Sequence, residues 1–268
     1  MYSFVAGNLQ EMRIQKLRKT IYNAGVHFAE TLPRSFRPWL FTLTYAEVDA
    51  WKPNHIRDYL KRVRSFLHRR GISLRCAWVA ELQQRGAVHY HIILWLPRSI
   101  RLPKSDTQGW WSFGYTNQQI AKKGVGYLMK YVSKMDSKHK FPHRCRIFGV
   151  SGLDKEGKQR VRYYKAPKYI RDMLGGKDYK SCDLRKIKGA YNDRITGISY
   201  PTRYRLCFLS SGTAVFTDYP QFDISFHFNS FWDKLCSVLL RFPNCRVDLS
   251  KLRHFELLTK IDESNLVF

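Results

Sequence analysis

Apolar positions change their spacing several times between Trp39 and Val150, and each change marks an element. Residues 39–45 are β-branched and aromatic enough for a strand. After Trp51-Lys-Pro53, where a proline is tolerated in a first helical turn, Ile56, Tyr59, Leu60, Val63 and Leu67 recur at three and four. That stripe predicts an amphipathic helix whose other side carries Arg57, Lys61, Arg62, Arg64, Arg69 and Arg70, with Gly71 as its stop. Strands are predicted over 74–83 and over 88–96, the latter closed by Pro97. Trp110-Trp-Ser-Phe-Gly-Tyr-Thr116 reads as a fourth strand, 118–134 as a helix and 145–150 as a fifth strand ended by Ser151-Gly152. The order β-α-β-β-loop-β-α-β predicts an α+β domain on an antiparallel sheet.

Outside this stretch the pattern is weaker. Residues 9–24 predict a short basic helix, with Leu9, Met12, Leu17 and Ile21 roughly on one side and Gly25 as its stop. It reads either as a DNA-contacting arm or as a helix packed on the domain. Pro33 and Pro38 bracket a linker. Residues 154–188 are densely basic with Tyr163, Tyr164 and Tyr169 interleaved, and beyond Gly189 the best-patterned parts are 206–216 and 224–240. No internal repeat or low-complexity tract is present. The expected organisation is a basic N-terminal helical arm (1–35), a central domain (36–152) and a basic accessory region (153–268).

Composition sharpens the picture chiefly through charge. Of 268 residues, 47 are Lys or Arg and 21 Asp or Glu, a formal net charge of +26. A field of that sign points to a polyanionic partner. Because the charge is spread through aromatic-rich sequence and not confined to one amphipathic helix, nucleic acid is favoured over a membrane surface. The hydrophobic fraction of 44% supports a proper core and argues against global disorder. Six cysteines lack a CxxC pair, and no apolar run approaches membrane-spanning length, so free thiols in a reducing cytoplasm are expected. His139-x-x-x-His143-x-Cys145 has zinc-like spacing, but Pro142 interrupts it and a fourth ligand is missing. There is no GxxxxGK[ST] phosphate loop, so a fused ATP-driven motor is not expected.

The first candidate chemistry lies in Glu81-Leu-Gln-Gln-Arg-Gly-Ala-Val-His89-Tyr90-His91. A strand alternates its side chains, so His89 and His91 share a face and Tyr90 takes the other. With Glu81 on the neighbouring strand they outline a divalent-metal site for Mg²⁺, Mn²⁺ or Zn²⁺. A two-residue turn would send Glu81 to the wrong face. An odd loop is required, and is expected to set Glu81 across from His91 and Gln83 across from His89. The second constellation is Gly126-Tyr127-Leu-Met-Lys130-Tyr131-Val-Ser-Lys134, which on a helix aligns Tyr127, Tyr131 and Lys134 with Lys130 beside them. Tyrosines at this spacing also serve ordinary packing. Flanking lysines are what would favour a phenolate or the charge developing in an attack on phosphate.

Phe41-Thr-Leu-Thr44, His89-Tyr-His91 and Tyr127-x-x-Lys-Tyr131-x-x-Lys134, in that order, resemble the three motifs of HUH endonucleases, the rolling-circle initiators of phages and plasmids. The paired tyrosines are similar to the two-tyrosine branch of phage initiators and Helitron transposases, and Phe148-Gly-Val-Ser-Gly152 looks most like replication proteins of filamentous phages and their prophage relatives. The resemblance covers about residues 39–152. It implies the HUH fold, a central antiparallel sheet of about five strands (RRM- or ferredoxin-like) with flanking helices, plus a C-terminal accessory region.

It also implies an activity. Glu81, His89 and His91 would hold a divalent metal (Mg or Mn), and Tyr127 or Tyr131 would attack single-stranded DNA at a replication origin. The product would be a 5′-phosphotyrosyl bond, with Lys130 and Lys134 stabilising charge. The released 3′-OH would serve the host polymerase, with a host helicase opening the duplex, in the cytoplasm of a bacterial host. Substrate would stack on aromatics such as Tyr45, Trp110 or Trp111, each an equally good core residue, while 154–188 would read duplex origin DNA. The rivals are a transposase with the same chemistry and a non-catalytic RRM-like nucleic-acid-binding replication regulator.

Overall fold

The computed structural model describes residues 5–7, 9–135, 141–187, 189–202, 204–208 and 214–218. In chain order the elements are β1 (Val5–Gly7), α1 (Leu9–Thr31), β2 (Phe36–Thr44), α2 (His55–His68), β3 (Cys76–Leu82), β4 (Val88–Pro97) and β5 (Thr116–Ile120). Then come α3 (Gly124–Ser133), β6 (Phe148–Ser151), α4 (Lys155–Lys165), α5 (Lys168–Asp172), β7 (Leu184–Ile187), β8 (Ala190–Asp193), β9 (Ser199–Pro201), β10 (Tyr204–Phe208) and β11 (Ala214–Asp218). The contacts divide the chain into one unit of residues 13–187 with 191–200 and another of 1–12, 188–190 and 201–268.

The larger unit is built on a five-stranded sheet in the order β5-β2-β4-β3-β6, antiparallel at every pairing. This is the predicted α+β architecture, with β4 at its centre because 88–97 is apolar on both faces. Odd residues of β4 face one way and even residues the other. On the even face Tyr90 meets Trp78 and Trp111, and Trp111 also receives Tyr59 of α2. The predicted stripe Ile56, Tyr59, Leu60, Val63 and Leu67 is buried throughout. On the odd face Trp95 packs on Phe28 of α1, with ring centroids 4.6 Å apart.

Several predicted boundaries shift, the larger ones for packing reasons. α1 does not stop at Gly25 but runs to Thr31, because Ala24 and Phe28 continue the buried stripe of Leu17 and Ile21. Gly25 instead marks a close approach, since a Cβ there would lie 2.7 Å from Cγ2 of Val125 in α3. The expected strand at 110–116 is mostly loop, with Trp111 fully buried, and the edge strand begins at Thr116. α3 accordingly starts at Gly124 and not at 118: residues 116–120 pair with β2, and Gly124 lies against Pro38 too tightly for a side chain. The fifth strand spans 148–151, and α2 starts after Pro53 with Asn54 at its cap.

The basic segment after Gly152 is folded. Asp154 caps α4 by accepting from the Gly157 N–H at 2.7 Å and contacts His27 of α1 at 2.9 Å. Ala166, Ile170, Leu174, Cys182 and Leu184 form a small separate core. In the other unit β1, β11 and β10 form an antiparallel sheet in that order; the predicted run at 224–240 lies outside the described residues, as does His139 of the zinc-like spacing. Cys76, Cys145 and Cys182 are buried free thiols, and among the described residues no helix is long and apolar enough to cross a membrane.

Candidate metal centre and tyrosine helix

The β3–β4 connection fixes the centre. Gln83 N–H donates to Ala87 C=O at 2.9 Å, leaving a three-residue loop of Gln84, Arg85 and Gly86. Gly86 has φ +87°, the left-handed residue that closes such a hairpin without splaying its strands. The loop is odd, as required, but centred on Arg85, so the register differs by two residues from the expected one. Glu81 pairs with His89 and not with His91, which pairs with Val79. Because the side-chain period is two, this slip preserves the face. Thr44, His89 and Glu81 therefore form one row across β2, β4 and β3, and Thr42, His91 and Val79 the next.

From that position Glu81 reaches diagonally, its Oε2 lying 2.9 Å from His91 Nε2. One ligating atom from each of Glu81, His89 and His91 lies within 4.8 Å of the others. Hydrogen bonding from His91 is the main reason the Glu81 carboxyl titrates below its ordinary value. Burial, reinforced by the neighbouring His91, lowers His89 to about 4. Near neutral pH these two groups are thus a carboxylate and a neutral imidazole, the forms that bind metal. His91 Nδ1 is buried without a hydrogen-bond partner. Donor chemistry, spacing and protonation all fit a divalent cation.

His89 is held from both sides. Its Nε2 lies 3.2 Å from Thr44 Oγ1 and its Nδ1 3.2 Å from Gln83 Nε2. Arg85 decides the polarity of the second contact. Its guanidinium donates to Gln83 Oε1 at 3.0 Å and to the Tyr45 and Ala46 carbonyls. Arginine only donates, so Gln83 must turn its oxygen to Arg85 and its NH₂ to His89. His89 Nδ1 is then the acceptor, and neutral His89 carries its proton on Nε2 toward Thr44. Sequence spacing brings Gln83 to His89 only through the register that the structure replaces, and it leaves Arg85 without a role. The signals for Arg85 are its place inside the hairpin loop and in the pattern Glu81-x-x-x-Arg85-Gly86-x-x-His89-x-His91.

α3 lies over this face. The Tyr131 ring stacks on His91, with centroids 3.4 Å apart and planes 11° apart. Burial, then the negative Glu81, then Tyr127 push the Tyr131 phenol above its ordinary value, so it stays protonated until positive charge offsets them. Lys134 Nζ sits 5.8 Å from the Tyr131 ring centroid and helps lower Glu81. Tyr127 is half-buried one turn earlier, while Lys130 is exposed and forms no ion pair among the described residues. Five of the seven predicted positions, Glu81, His89, His91, Tyr131 and Lys134, therefore converge; Tyr127 borders them and Lys130 points to solvent. The proposed stacking aromatics do not: Tyr45 and Trp111 are fully buried, and Trp110 packs on Phe66.

Fold and site thus define an α+β domain with a candidate divalent-metal centre beneath a tyrosine-bearing helix. Residues 38–136, which span β2 to α3, match a family model described as a replication-associated protein of the ORF2 type. The match bears out the resemblance to replication-associated proteins and supports a role in DNA replication. No curated protein and no solved structure matches the chain significantly.

Proposed function

We propose that this protein is a site-specific single-strand DNA endonuclease and strand transferase that initiates rolling-circle replication of a phage- or plasmid-like element. The observation that carries the reading is the stack of Tyr131 on His91, which brings a candidate nucleophile onto the candidate metal ligands within the family-matched residues. A divalent ion (Mg²⁺ or Mn²⁺) held by Glu81, His89 and His91 would supply Lewis acidity toward a phosphate oxygen. The Tyr131 oxygen attacks phosphorus and gives up its proton; the bond to the 3′ oxygen breaks, leaving a free 3′-OH and a 5′-phosphotyrosyl link. Reversal by a later 3′-OH religates DNA without ATP, because the phosphodiester energy is retained in the tyrosyl bond. Tyr127, on the same helix, is the second nucleophile for the regenerated origin. Lys134 offsets the negative charge that Tyr131 meets from Glu81, and Lys130 faces the incoming backbone. Residues 154–188 contact duplex origin DNA, while host helicase and polymerase act on the opened strand.

The test is a covalent adduct. Full-length protein, Mn²⁺ and a single-stranded oligonucleotide carrying the element's origin should give a protein–DNA species stable on a denaturing gel. Tyr131→Phe should remove it from the first cleavage, and Tyr127→Phe only from the second. Absence of an adduct with either origin strand would leave a non-catalytic nucleic-acid-binding regulator as the better reading.

A further inference from the structure

Away from the metal centre, an open groove of about 720 Å³ lies where β5 begins, between the 101–108 segment and Phe66 of α2. That volume is within the usual range for small-ligand sites, about 300–1,000 Å³. Phe66, Leu102 and Pro103 give it an apolar wall, while Arg101, Lys104, Tyr115 and Gln118 supply charge, an aromatic ring and an amide. β5 is one of the two edge strands of its sheet.

Two independent features ask for a ligand. The Gln118 amide donates through Nε2 to Leu102 C=O at 3.2 Å, but its Oε1 is buried and has no partner. A buried acceptor left unpaired is costly, and an N–H brought in by a ligand would satisfy it. Tyr115, meanwhile, is 64% exposed, with Lys104 Nζ 5.6 Å from its ring centroid. The walls are already fixed. Tyr59 and Ser105 hydroxyls lie 3.1 Å apart, Arg62 donates to Trp110 C=O at 3.0 Å, and Asp106 accepts from the N–H groups of Thr107 and Thr116. A ligand would therefore meet a largely preformed site, in which only the Gln118 amide has to turn for Oε1 to reach it.

An exposed ring beside cations, with an unpaired acceptor within the same groove, matches a flat heteroaromatic that carries N–H donors and a phosphate. We infer that this groove binds an unpaired nucleotide of single-stranded DNA, with its base on Tyr115, its phosphates near Lys104 and Arg101, and an exocyclic amino group donating to Gln118 Oε1. Duplex is excluded because its bases are stacked and their amino groups already paired. The groove is tied to the metal centre through the backbone: Tyr115 C=O accepts from Thr44 N–H at 2.9 Å, and the Thr44 hydroxyl is the partner of His89. The inference rests on the proposed single-stranded substrate and adds to it a subsite for sequence preference.

The test is fluorescence anisotropy with the full-length protein, metal-free, and labelled dA, dC and dT decamers alongside a hairpin duplex. Tyr115→Ala, an exposed change that cannot disturb the core, should weaken binding of all three single strands by about tenfold while sparing the duplex. Gln118→Met should mainly remove the preference for dA and dC over dT. Unchanged single-strand affinity in Tyr115→Ala overturns the inference, as does an effect confined to duplex. An adduct formed by a wild-type protein whose Tyr115→Ala variant binds normally removes the groove and leaves the nicking reading standing. No adduct, with weakened binding in Tyr115→Ala, does the reverse.

Discussion

The two faces of β4 carry the same residue classes to opposite ends. On the even face Tyr90 is fully buried, and its hydroxyl accepts from Trp51 Nε1 at 2.8 Å. Burial raises its phenol far above the ordinary value, as it does for Tyr59 and Tyr45, so these groups serve structure. On the odd face His89, His91 and Tyr131 are also largely enclosed, yet His91 Nδ1 has no partner and ring lies against ring. The difference teaches that burial alone does not mark function. What marks it is a cluster of groups whose polar atoms the protein does not fully satisfy, held in the charge states that bind metal.

Removing a group from each face separates the two roles. His91→Ala should abolish metal-dependent adduct formation, by roughly a thousandfold or more on the scale of lost metal catalysis, while single-strand affinity measured without metal stays within a few-fold. Isothermal titration with Mn²⁺ should show the matching loss of binding; retained binding would mean that the cluster is not the metal site. Trp111→Ala attacks the other face. Trp111 is fully buried against Tyr90, Tyr59 and Phe113, so its truncation should cost about 3–5 kcal/mol in urea unfolding. Any protein that remains folded should bind Mn²⁺ with unchanged stoichiometry.

That division is partly legible in the sequence. The alternation of His89, Tyr90 and His91 follows from strand geometry, and the requirement for an odd loop follows from Glu81 having to share their face. The register within the odd loops is not legible, since loops centred on Arg85 or on Gly86 satisfy the same parity. Only the hydrogen bond from Gln83 to Ala87 chooses between them. A strand at 110–116 is a false lead because Trp110 and Trp111 are aromatic for packing and not for pairing. The start of α3 is hidden because Gly124, a poor helix former, is selected by its approach to Pro38. Contacts far apart in sequence decide the last two.

A middle-sized effect should come from the clamp on His89. Arg85→Ala frees Gln83 to turn over, so the Nδ1 acceptor is no longer enforced. Because the enforced tautomer leaves neither ring nitrogen of His89 a free lone pair for a metal, its release should strengthen Mn²⁺ binding, by about tenfold on the scale of outer-shell effects. ¹⁵N shifts of His89 in metal-free protein should move from the Nε2–H tautomer toward a mixture. Arg85→Lys should not restore them, because one ammonium cannot span the Gln83, Tyr45 and Ala46 oxygens. Wild-type-like shifts in both variants would show that Thr44 alone orients the ring.

The smallest effect tests how closely the tyrosine helix must sit on the odd face. Gly25→Ala improves helix propensity in α1 by about 1 kcal/mol. It also places a Cβ 2.7 Å from Val125 Cγ2, and such overpacking costs about 1–3 kcal/mol. The net is about 0–2 kcal/mol of destabilisation, so thermal stability should fall only modestly. The position of α3 should not be so indifferent, because the added methyl pushes on the helix that carries Tyr131 nearly two turns beyond Val125. The Tyr131 ring contacts His91 at a 3.4 Å centroid separation, leaving no slack for a shift. Gly25→Ala should therefore slow adduct formation several-fold while Mn²⁺ binding, which needs only β3 and β4, stays unchanged. Val125→Ala added to it should restore the rate, since the two changes meet at one contact and couple. A rate unaffected by Gly25→Ala would mean that α3 reaches its working position independently of α1.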